Sequence, residues 1–499
     1  MMRLSEAATL IGARIDNADT AFTSVFSDSR AIASDGLFIA LRGERFDGHE
    51  FVTEAIAQGA AAAMVDTAWA ATHANERLPL LVVEDTRMGL GQLAAAWRAR
   101  FAIPLIAVTG SNGKTTVKDM CAAIMAAQVG VDHVLATSGN FNNDIGLPLT
   151  LLQLREQHRA AVIEMGMNHT GEISYLASIA RPTVALVNNA QRAHLEHLGS
   201  IAAVARAKGE IFEGLDRDGT AIINADDPCA GILRELASSH RLMSFGLDAA
   251  AGISVTAQSG GEFGYFSNGI ILRTPMGNAE FELHLPGRHN LQNALAAAAA
   301  CLATGASLAA VANGLAGYRG AKGRLQRKTG ERGAALIDDS YNANPDSMRA
   351  AIDVLAQLPG KRLFVMGDMG EVGVTGGQFH DELGGYAKSQ GIDRLYCLGS
   401  LSVAAAHNFG EGGAHFNRID DLIKAVRQEL DANTTVLVKG SRFMRMERVV
   451  EALESNTGGK SGPAAGPSQG GVSQKLERTE SANTHRPLPR EGGGEEGKK

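Results

Sequence analysis

The sequence predicts an α/β protein of three domains, the central one built on a parallel sheet that carries a phosphate-binding loop. Apolar strands alternate with helical patterns through most of the chain, which is typical of parallel sheets covered by helices. The chain has 499 residues, and at about 100–200 residues per domain this length predicts three domains. A short glycine-rich loop stands between an apolar strand and a helical pattern at residues 105–116. Together these observations indicate a protein that binds a phosphorylated ligand.

The first predicted domain covers residues 1–83 and is a small α/β unit. Residues 37–41 and 80–83 are apolar runs of the length expected for strands, and residues 51–58 form a helical pattern between them. Short strands and turns alternate over this region, so we expect a small sheet with few helices.

The second predicted domain covers residues 84–317 and contains the glycine-rich loop. A helical pattern from Asp85 to Arg100 precedes the loop, and residues 291–304 form an alanine-rich helix. Residues 252–285 lack helix signals and predict a small antiparallel insert. Further strands of the parallel sheet are predicted at residues 160–164, 184–187 and 220–223.

The third predicted domain covers residues 318–455 and is expected to be an open, Rossmann-like α/β sheet. Residues 456–499 follow it and contain ten glycines, four prolines and no aromatic residue. Such a composition cannot bury enough apolar surface to fold, so we expect a disordered tail and assign it no function. The strands of the third domain are predicted at residues 335–338, 362–366, 395–398 and 435–438.

Composition excludes several classes of function. The formal net charge is −7, which argues against nucleic acid as a partner because nucleic-acid-binding proteins carry basic faces. The four cysteines are far apart and form no C-x-x-C pair, as expected of thiols in a reducing compartment. The longest apolar run, residues 294–303, has about half the length needed to cross a bilayer. The first residues carry a charge where a signal peptide has its apolar core, so we expect a cytoplasmic protein that is not embedded in a membrane.

The glycine-rich loop is expected to bind the phosphates of a nucleotide. Backbone amides at a helix N-terminus bind phosphate, Lys114 would place a charge near the outer phosphates, and Thr115 would place a hydroxyl on Mg²⁺. Val108 stands where the longer G-x-x-x-x-G-K-[ST] pattern has its first glycine, so this is the shorter T-G-x-x-G-K-T form. The alternative is a plain strand-to-helix turn, but the ordered succession of strand, loop, Lys-Thr and helix favours a phosphate loop. The loop residues are Thr109, Gly110, Ser111, Asn112, Gly113, Lys114, Thr115 and Thr116.

Polar residues gather at the ends of the predicted strands, where ligands bind in open α/β sheets. A phosphoryl-transfer site needs oxygen ligands for Mg²⁺ and cations for the transferring group. Glu164 ends the strand beside the loop and is the natural carboxylate ligand. His194 is a candidate second ligand, although a lone histidine is more often structural. By composition alone, Lys208 is predicted to be a surface lysine.

Several longer motifs accompany these residues and cover nearly the whole chain apart from the tail. Together they resemble the Mur ligases of peptidoglycan synthesis, whereas any one of them alone would be weakly specific. The motifs are D-S-R at 28–30, A-L-R-G-E-R-F-D-G-H at 40–49, G-N-F-N-N-D-I-G at 139–146, A-K-G-E-I-F at 207–212, G-R-H-N at 287–290, D-S-Y-N-A-N-P at 339–345 and K-G-S-R at 439–442.

The resemblance implies a central ATPase-like domain with ATP and Mg²⁺ as cofactors. It implies that Lys208 carries a carbamate formed with CO₂, because an anionic oxygen ligand suits a site near Mg²⁺ where an ammonium would be repelled. It also implies that Glu164 and His194 surround the magnesium. The other nucleotide contacts that it implies are Asn290 and Asn293 at the adenine, Asp339 near the ribose and Arg324 at the γ-phosphate.

The resemblance also implies a reaction between small molecules. The terminal carboxylate of UDP-N-acetylmuramoyl-tripeptide would form an acyl phosphate with ATP, and the amine of D-Ala-D-Ala would then displace phosphate to leave the pentapeptide. Because Lys114 and Arg324 lie in different predicted domains, we expect domain closure to bring them together. The substrate-binding residues that it implies are Ser29, Arg30, Asp47, His49, Asn140, Asn142 and Asn143.

Two alternatives to this function stay open. One is another Mur-type amino-acid ligase or a folylpolyglutamate synthase, and the other is a catalytically inactive nucleotide-binding relative that regulates wall synthesis. The intact set of Lys114, Glu164, His194 and Lys208 argues against an inactive relative. One local departure from the family pattern is Gln191-Arg192, where a small or apolar pair is more usual. We expect the protein to act as a monomer.

Overall fold

A computed structural model of the chain describes residues 1–44, 46–193, 195–248, 250–257 and 267–455. His194 and the predicted tail lie outside these ranges. The described residues build three large sheets, of five, six and six strands, together with two smaller sheets. The predicted α/β class, with mainly parallel sheets, is therefore confirmed.

The N-terminal sheet is buried on both faces, which explains its continuous apolar strands. Phe38 packs with the buried side chains of α2 and α3 on one face, while Leu37 and Ile39 pack with those of α1 on the other. The five strands follow the order β2-β7-β6-β5-β4, with only β2 antiparallel to its neighbour. The elements are β1 (Met2–Arg3), α1 (Leu4–Ile11), β2 (Arg14–Asp16), β3 (Ala21–Phe22), β4 (Ser24–Phe26), β5 (Gly36–Ile39), α2 (Val52–Ala57), β6 (Ala62–Asp66), α3 (Thr67–Thr72) and β7 (Leu80–Val83).

The central sheet is parallel throughout and holds the phosphate loop near its middle. Its strand order is β13-β12-β11-β8-β10-β9, so the loop that follows β8 is flanked by the ends of β10 and β11. In this register Glu164 lies opposite Val108, and Val187 lies opposite Thr109. The strands are β8 (Leu105–Thr109), β9 (Val134–Ala136), β10 (Ala160–Glu164), β11 (Val184–Val187), β12 (Thr220–Asn224) and β13 (Arg241–Phe245).

Helices cover both faces of the central sheet, and a small antiparallel sheet is inserted after it. The insert agrees with the prediction for residues 252–285 over its described part. The alanines from Ala294 to Ala300 in α11 are fully buried, and such small side chains let α11 pack closely on α5. The elements are α4 (Thr86–Arg98), α5 (Lys114–Val129), α6 (Gly146–Leu151), α7 (Glu172–Ala180), α8 (Leu195–Leu198), α9 (Ile201–Gly209), α10 (Ala230–Leu236), β14 (Ser254–Ala257), β15 (Ser267–Thr274), β16 (Gly277–Leu283), α11 (Arg288–Ala303) and α12 (Leu308–Gly317).

The C-terminal sheet is parallel except for one edge strand. Its order is β17-β18-β22-β19-β20-β21, with β17 antiparallel to β18. The carboxyl ends of β18 and β22 are adjacent, so Asp339 lies opposite Lys439. No helix among the described residues is both long and apolar enough to span a membrane. The elements are β17 (Gln326–Thr329), β18 (Ala335–Asp339), α13 (Pro345–Ala356), β19 (Lys361–Gly367), α14 (Gly376–Ser389), β20 (Arg394–Leu398), α15 (Val403–Phe409), β21 (Gly413–Phe416), α16 (Ile419–Glu429), β22 (Thr434–Lys439) and α17 (Glu447–Leu453).

The crossing of α12 over α5 leads to a stability prediction. A β-carbon at Gly314 would lie 2.6 Å from the backbone nitrogen of Ile124 and closer still to its Cα, so α5 would have to shift. We expect Gly314→Ala to lower the free energy of unfolding by about 1–3 kcal/mol, the usual cost of overpacking. Chemical denaturation measures this change.

Gly317→Ala, in the same helix, is the matched control. Within the described residues, no heavy atom lies within 4 Å of a β-carbon placed there. Because alanine favours helix over glycine by about 1 kcal/mol, this variant should be neutral or slightly stabilised. Equal destabilisation of both variants would contradict the tight crossing.

Candidate active site

One large cleft, of about 2240 Å³, is lined by residues of all three domains. A typical pocket for a single small molecule measures about 300–1,000 Å³, so this cleft has room for more than one substrate. Its floor is the phosphate loop with the neighbouring strand ends of the central sheet. The N-terminal domain closes one side and the end of the C-terminal sheet closes the other.

The phosphate loop ends in a glycine that no other residue could replace without strain. Gly113 caps α5 with a φ of 78°, which lies in the left-handed region that favours glycine. A β-carbon there would also lie 2.6 Å from Nδ2 of Asn188 and closer still to Oδ1 of Asn293. The first amides of α5 have no partner within the helix and so can bind an anion.

The four side chains expected at the phosphates meet at this helix end. Lys114 donates to the carbonyl of Gly110 at 2.9 Å. Thr115 Oγ1 donates to Glu164 Oε2 at 2.9 Å and accepts from Nη2 of Arg324 at 2.9 Å. Burial lowers the pKa of Lys114, and the nearby Glu164 carboxylate opposes that change. Arg324, from the segment that leads into the C-terminal sheet, thus contacts the first turn of α5.

The residues around Glu164 fit a magnesium ion. Its Oε1 accepts from Nδ2 of Asn142 at 2.8 Å, and its Oε2 faces Thr115, so a carboxylate and a hydroxyl stand together. Mg²⁺ prefers such hard oxygens and usually takes one or two carboxylates with phosphate and water. The described ranges hold no cluster of three His, Cys, Asp or Glu side chains suited to a metal. The predicted ligand His194 lies outside the described residues.

The prediction that Lys208 is a surface lysine is wrong. It lies near the end of α9 with 1% of its surface exposed, because the helix turns it toward the core. Burial, with a smaller effect of the Lys114 ammonium, lowers the pKa of Lys208 well below its usual value. Among the described residues no carboxylate forms an ion pair with it. Both effects act against the charged ammonium form of this side chain.

Asn290, Asn293 and Asp339, expected at the base and ribose, line the same cleft. Asn293 accepts from Asn188 at 2.9 Å and donates to Asn290 at 3.1 Å, which fixes both amides on α11. Asp339 accepts from the Lys439 ammonium at 2.6 Å.

Two of the eight loop residues stand behind the cleft instead of lining it. Thr109 is fully buried and donates to the carbonyl of Met165 at 2.9 Å. Gly110 uses its carbonyl to hold Lys114. These two residues shape the loop, and residues 111–116 line the cleft; nucleotide contact by all eight loop residues stays a prediction.

In the N-terminal domain, only half of the expected substrate residues reach the cleft. Ser29 and Arg30 line it, whereas Asp47 and His49 do not. His49 is 3% exposed, and its Nδ1 lies 2.6 Å from Asp47 Oδ1. Burial acts to raise the pKa of Asp47, but hydrogen bonds from His49 and Arg42 outweigh it and lower that pKa to about 2. This pair braces the wall of the cleft.

The expected asparagines of residues 139–146 also line the cleft. Asn142 binds Glu164, as described, and Asn143 Oδ1 accepts from the amide of Gly146 at 2.8 Å at the start of α6. Asn140 lines the cleft beside them.

Sequence reasoning gave no role to Tyr341, which the structure places under Arg324. The guanidinium carbon of Arg324 lies 4.4 Å from the centre of the Tyr341 ring, a distance at which a cation is attracted to the ring face. Tyr341 belongs to the D-S-Y-N-A-N-P motif and lies two residues after the end of β18. An aromatic residue at this position was the sequence signal that could have identified it.

The fold and the site together define a three-domain, nucleotide-dependent enzyme of phosphoryl transfer. Three family models match the chain: "Mur ligase family, catalytic domain" at residues 21–98, "Mur ligase middle domain" at residues 108–301, and "Mur ligase, glutamate ligase domain" at residues 323–442. The chain belongs to the Mur ligase family, which confirms the resemblance seen in the motifs.

Individual relatives match almost end to end. The chain is 43% identical over 461 residues to the UDP-N-acetylmuramoyl-tripeptide–D-alanyl-D-alanine ligase of Escherichia coli, covering 91% of this chain and 98% of that one. A crystal structure of MurF from Acinetobacter baumannii superposes with a TM-score of 0.83 at 36% identity, covering 90% and 98%. MurF ligase from Thermotoga maritima, in complex with ADP, gives a TM-score of 0.73 at 26% identity, covering 86% and 96%.

His289, which lines the cleft, leads to a prediction on pH. Burial lowers the pKa of His289 to about 4. Between about pH 6.5 and pH 4 the unfolded chain therefore binds more protons than the folded one, so stability falls as the pH is lowered through this window. We expect His289→Gln to remove roughly 1–3 kcal/mol of that fall, measured by denaturant unfolding at pH 7 and pH 4.5.

His407→Gln, at an exposed position of α15, is the control and should leave the pH dependence as in the wild type. If His289→Gln and His407→Gln give the same pH dependence, burial of His289 is not the cause of the acid sensitivity.

Proposed function

We propose that the protein is the ATP-dependent ligase that joins D-alanyl-D-alanine to UDP-N-acetylmuramoyl-tripeptide in peptidoglycan precursor synthesis. The substrates are supported by the similarity to the UDP-N-acetylmuramoyl-tripeptide–D-alanyl-D-alanine ligase of Escherichia coli, of whose length the match covers 98%. Support for the chemistry comes from one observation, the meeting of Thr115, Glu164 and Arg324 at the phosphate loop. This arrangement brings metal ligands and positive charge to the point where a γ-phosphate would lie.

The reaction needs ATP because a carboxylate oxygen is a poor leaving group and phosphate is a good one. A carboxylate oxygen of the tripeptide attacks the γ-phosphorus, the bond from that phosphorus to the bridging oxygen breaks, and ADP leaves. The amine of the dipeptide then attacks the acyl carbon, phosphate leaves, and the nitrogen gives up a proton. No bond to the protein is needed, so the protein contributes position and charge.

Each residue of the site has a defined task in this scheme. Lys114, from the phosphate loop, and Arg324, from the segment that leads into the C-terminal sheet, stabilise negative charge on the transferring phosphoryl group. Glu164 and Thr115 would hold Mg²⁺, which when bound neutralises charge on the β- and γ-phosphates. The amides of α5 orient the phosphates.

The two ends of the cleft accept the rest of the ligands. We assign the adenine and ribose to Asn290, Asn293 and Asp339, and the UDP-sugar to the side formed by Ser29 and Arg30. All of these residues come from one chain, so we also propose that the enzyme acts as a monomer. The four cysteines are buried free thiols, in keeping with a cytoplasmic location.

We further propose that Lys208 carries a carbamate in the active enzyme. Its burial and its lowered pKa favour the neutral amine, and only a neutral amine attacks CO₂. The nitrogen bonds to the carbon of CO₂, loses one proton, and leaves an anionic group with two oxygens. Such a group would join the oxygen ligands of the magnesium site and place a negative charge near the Lys114 ammonium.

The proposed activity is tested by phosphate release with UDP-N-acetylmuramoyl-tripeptide and ATP. We expect release to require D-alanyl-D-alanine, while free diamino acids and glutamate should not support it. Turnover with one of those other acceptors instead would assign the chain to a different ligase activity. Lys114→Ala, which removes the charge at the outer phosphates, should fold normally and lower kcat at least about 100-fold.

The carbamate is tested separately, by ¹³C NMR of the enzyme in ¹³C-bicarbonate. We expect a carbamate signal that is absent from Lys208→Ala. This variant should lose most activity and regain part of it with short carboxylic acids, which can occupy the vacated oxygen positions, but not with amines. Lys328→Ala, which removes a lysine paired with Glu454 at 2.8 Å, is the control. A wild-type spectrum without the signal, together with no rescue, would refute the carbamate.

A further inference from the structure

Arg192, at the local departure from the family pattern, forms an ion pair between two domains. Its Nε and Nη2 both donate to Oδ1 of Asp346, at 3.0 and 2.6 Å, and its backbone amide donates to Oδ2 at 2.8 Å. Arg192 lies in the loop after β11 of the central domain, and Asp346 lies in the first turn of α13 in the C-terminal domain. Three hydrogen bonds therefore join one residue of each domain.

A second contact lies beside the first and reaches the phosphate loop itself. The amides of Asn112 and Asn344 bind each other, with Asn344 donating at 2.7 Å and Asn112 donating at 3.3 Å. Asn112 also donates to the side-chain oxygen of Gln191 at 2.6 Å. The amide of Gln191 donates to Ser111 Oγ at 2.9 Å. Neighbouring residues 191 and 192 thus hold the loop on one side and the C-terminal domain on the other.

The C-terminal side of this contact is a rigid surface. Asn344 is the N-cap of α13, and its side chain accepts from the amide of Ser347 at 2.9 Å in a capping box. Asp346 stands where the helix dipole favours a carboxylate. The guanidinium of Arg192 also lies 5.5 Å from the ring centre of Phe379 in α14. A helix end held in this way carries its side chains as a fixed unit.

We propose that Arg192 is a positioning residue for the ligation reaction, which fixes the C-terminal domain in the closed position through Asp346. In that position Arg324 reaches Thr115, and the Gln191–Asn112–Asn344 bonds connect closure to the shape of the phosphate loop. The inference rests on the proposed function, because Arg324 acts only on a bound nucleotide. Arg192 also lines the cleft, and we assign it a positioning role because Asp346 engages its guanidinium and its backbone amide.

The partial exposure of the pair suits a contact that must open and close. The side chains of Arg192 and Asp346 are 24% and 23% exposed, so water can replace either partner when the domains separate. Substrates and products of this size need such an opening to enter and leave the cleft. A pair of this kind biases closure without locking it.

The test compares Arg192→Ala, Arg192→Lys, Asp346→Ala and the double alanine variant. We expect each alanine variant to lower kcat by about tenfold, which corresponds to about 1.4 kcal/mol. The melting temperature should be unchanged in Arg192→Ala and lowered slightly in Asp346→Ala, which loses the favourable charge at the start of α13. Arg192→Lys keeps the charge but loses the two nitrogens that donate together to Asp346, so its kcat should lie between those of the wild type and Arg192→Ala. The double variant should be no slower than Arg192→Ala, because that single variant already removes the contact with Asp346.

Small-angle scattering separates closure from a general loss of structure. At saturating UDP-tripeptide and a non-hydrolysable ATP analogue, Arg192→Ala should have a larger radius of gyration than the wild type. The control is Arg427→Ala. Arg427 Nε donates to both carboxylate oxygens of Glu331, at 3.1 and 3.0 Å, and this ion pair lies entirely within the C-terminal domain. This control should match the wild type in both turnover and radius.

Three results would overturn the proposal: equal radii for Arg192→Ala and the wild type, equal turnover for Arg192→Ala and Arg427→Ala, or additive losses in the double variant. Failure of the wild type to ligate D-alanyl-D-alanine would instead refute the proposed function. The scattering comparison with the nucleotide analogue alone still decides on closure in that case, so the two failures are distinguishable.

Discussion

The hydroxyl of Thr115 joins the parts of the chain on which the active site depends. It donates to Glu164 and accepts from Arg324, at 2.9 Å in each case. One small side chain thus connects the first turn of α5, the end of β10 and the segment that leads into the C-terminal sheet. A nucleotide with its metal would replace these bonds with bonds to phosphate and magnesium. Binding would therefore exchange one set of polar contacts of these side chains for another.

The core of this arrangement follows from sheet topology and could be predicted from the sequence. Thr115 and Glu164 are 49 residues apart, yet both follow strands of one parallel sheet, whose carboxyl ends share an edge. Local patterns are enough to predict such strands, because both faces of a parallel sheet are buried and its strands are continuously apolar. The three domains, the phosphate loop and its carboxylate neighbour were accessible in this way, before any contact was known.

Burial and partner choice could not be predicted, because they depend on contacts between distant segments. Lys208 has charged neighbours in sequence, and only the packing of α9 shows that it is 1% exposed. Asp47 and His49 bind each other and do not line the cleft, a pairing that their motif alone does not predict. Arg192 pairs with a carboxylate 154 residues away, and no local pattern selects one aspartate among many.

The loop is held mainly by amides, and this choice follows from its electrostatics. Asn188 and Asn189 both donate to the carbonyl of Asn112, at 2.9 and 3.1 Å, and Asn344 binds its side chain. An amide donates and accepts at once, so it can brace a loop from two sides without adding charge. Carboxylates in these positions would repel phosphate, and further cations would repel Lys114. Because a neutral hydrogen bond contributes only about 1 kcal/mol net, an amide contact between domains also opens easily, which leaves directional control of closure to the charged contacts of Arg192 with Asp346 and, at 3.9 Å, with Glu382.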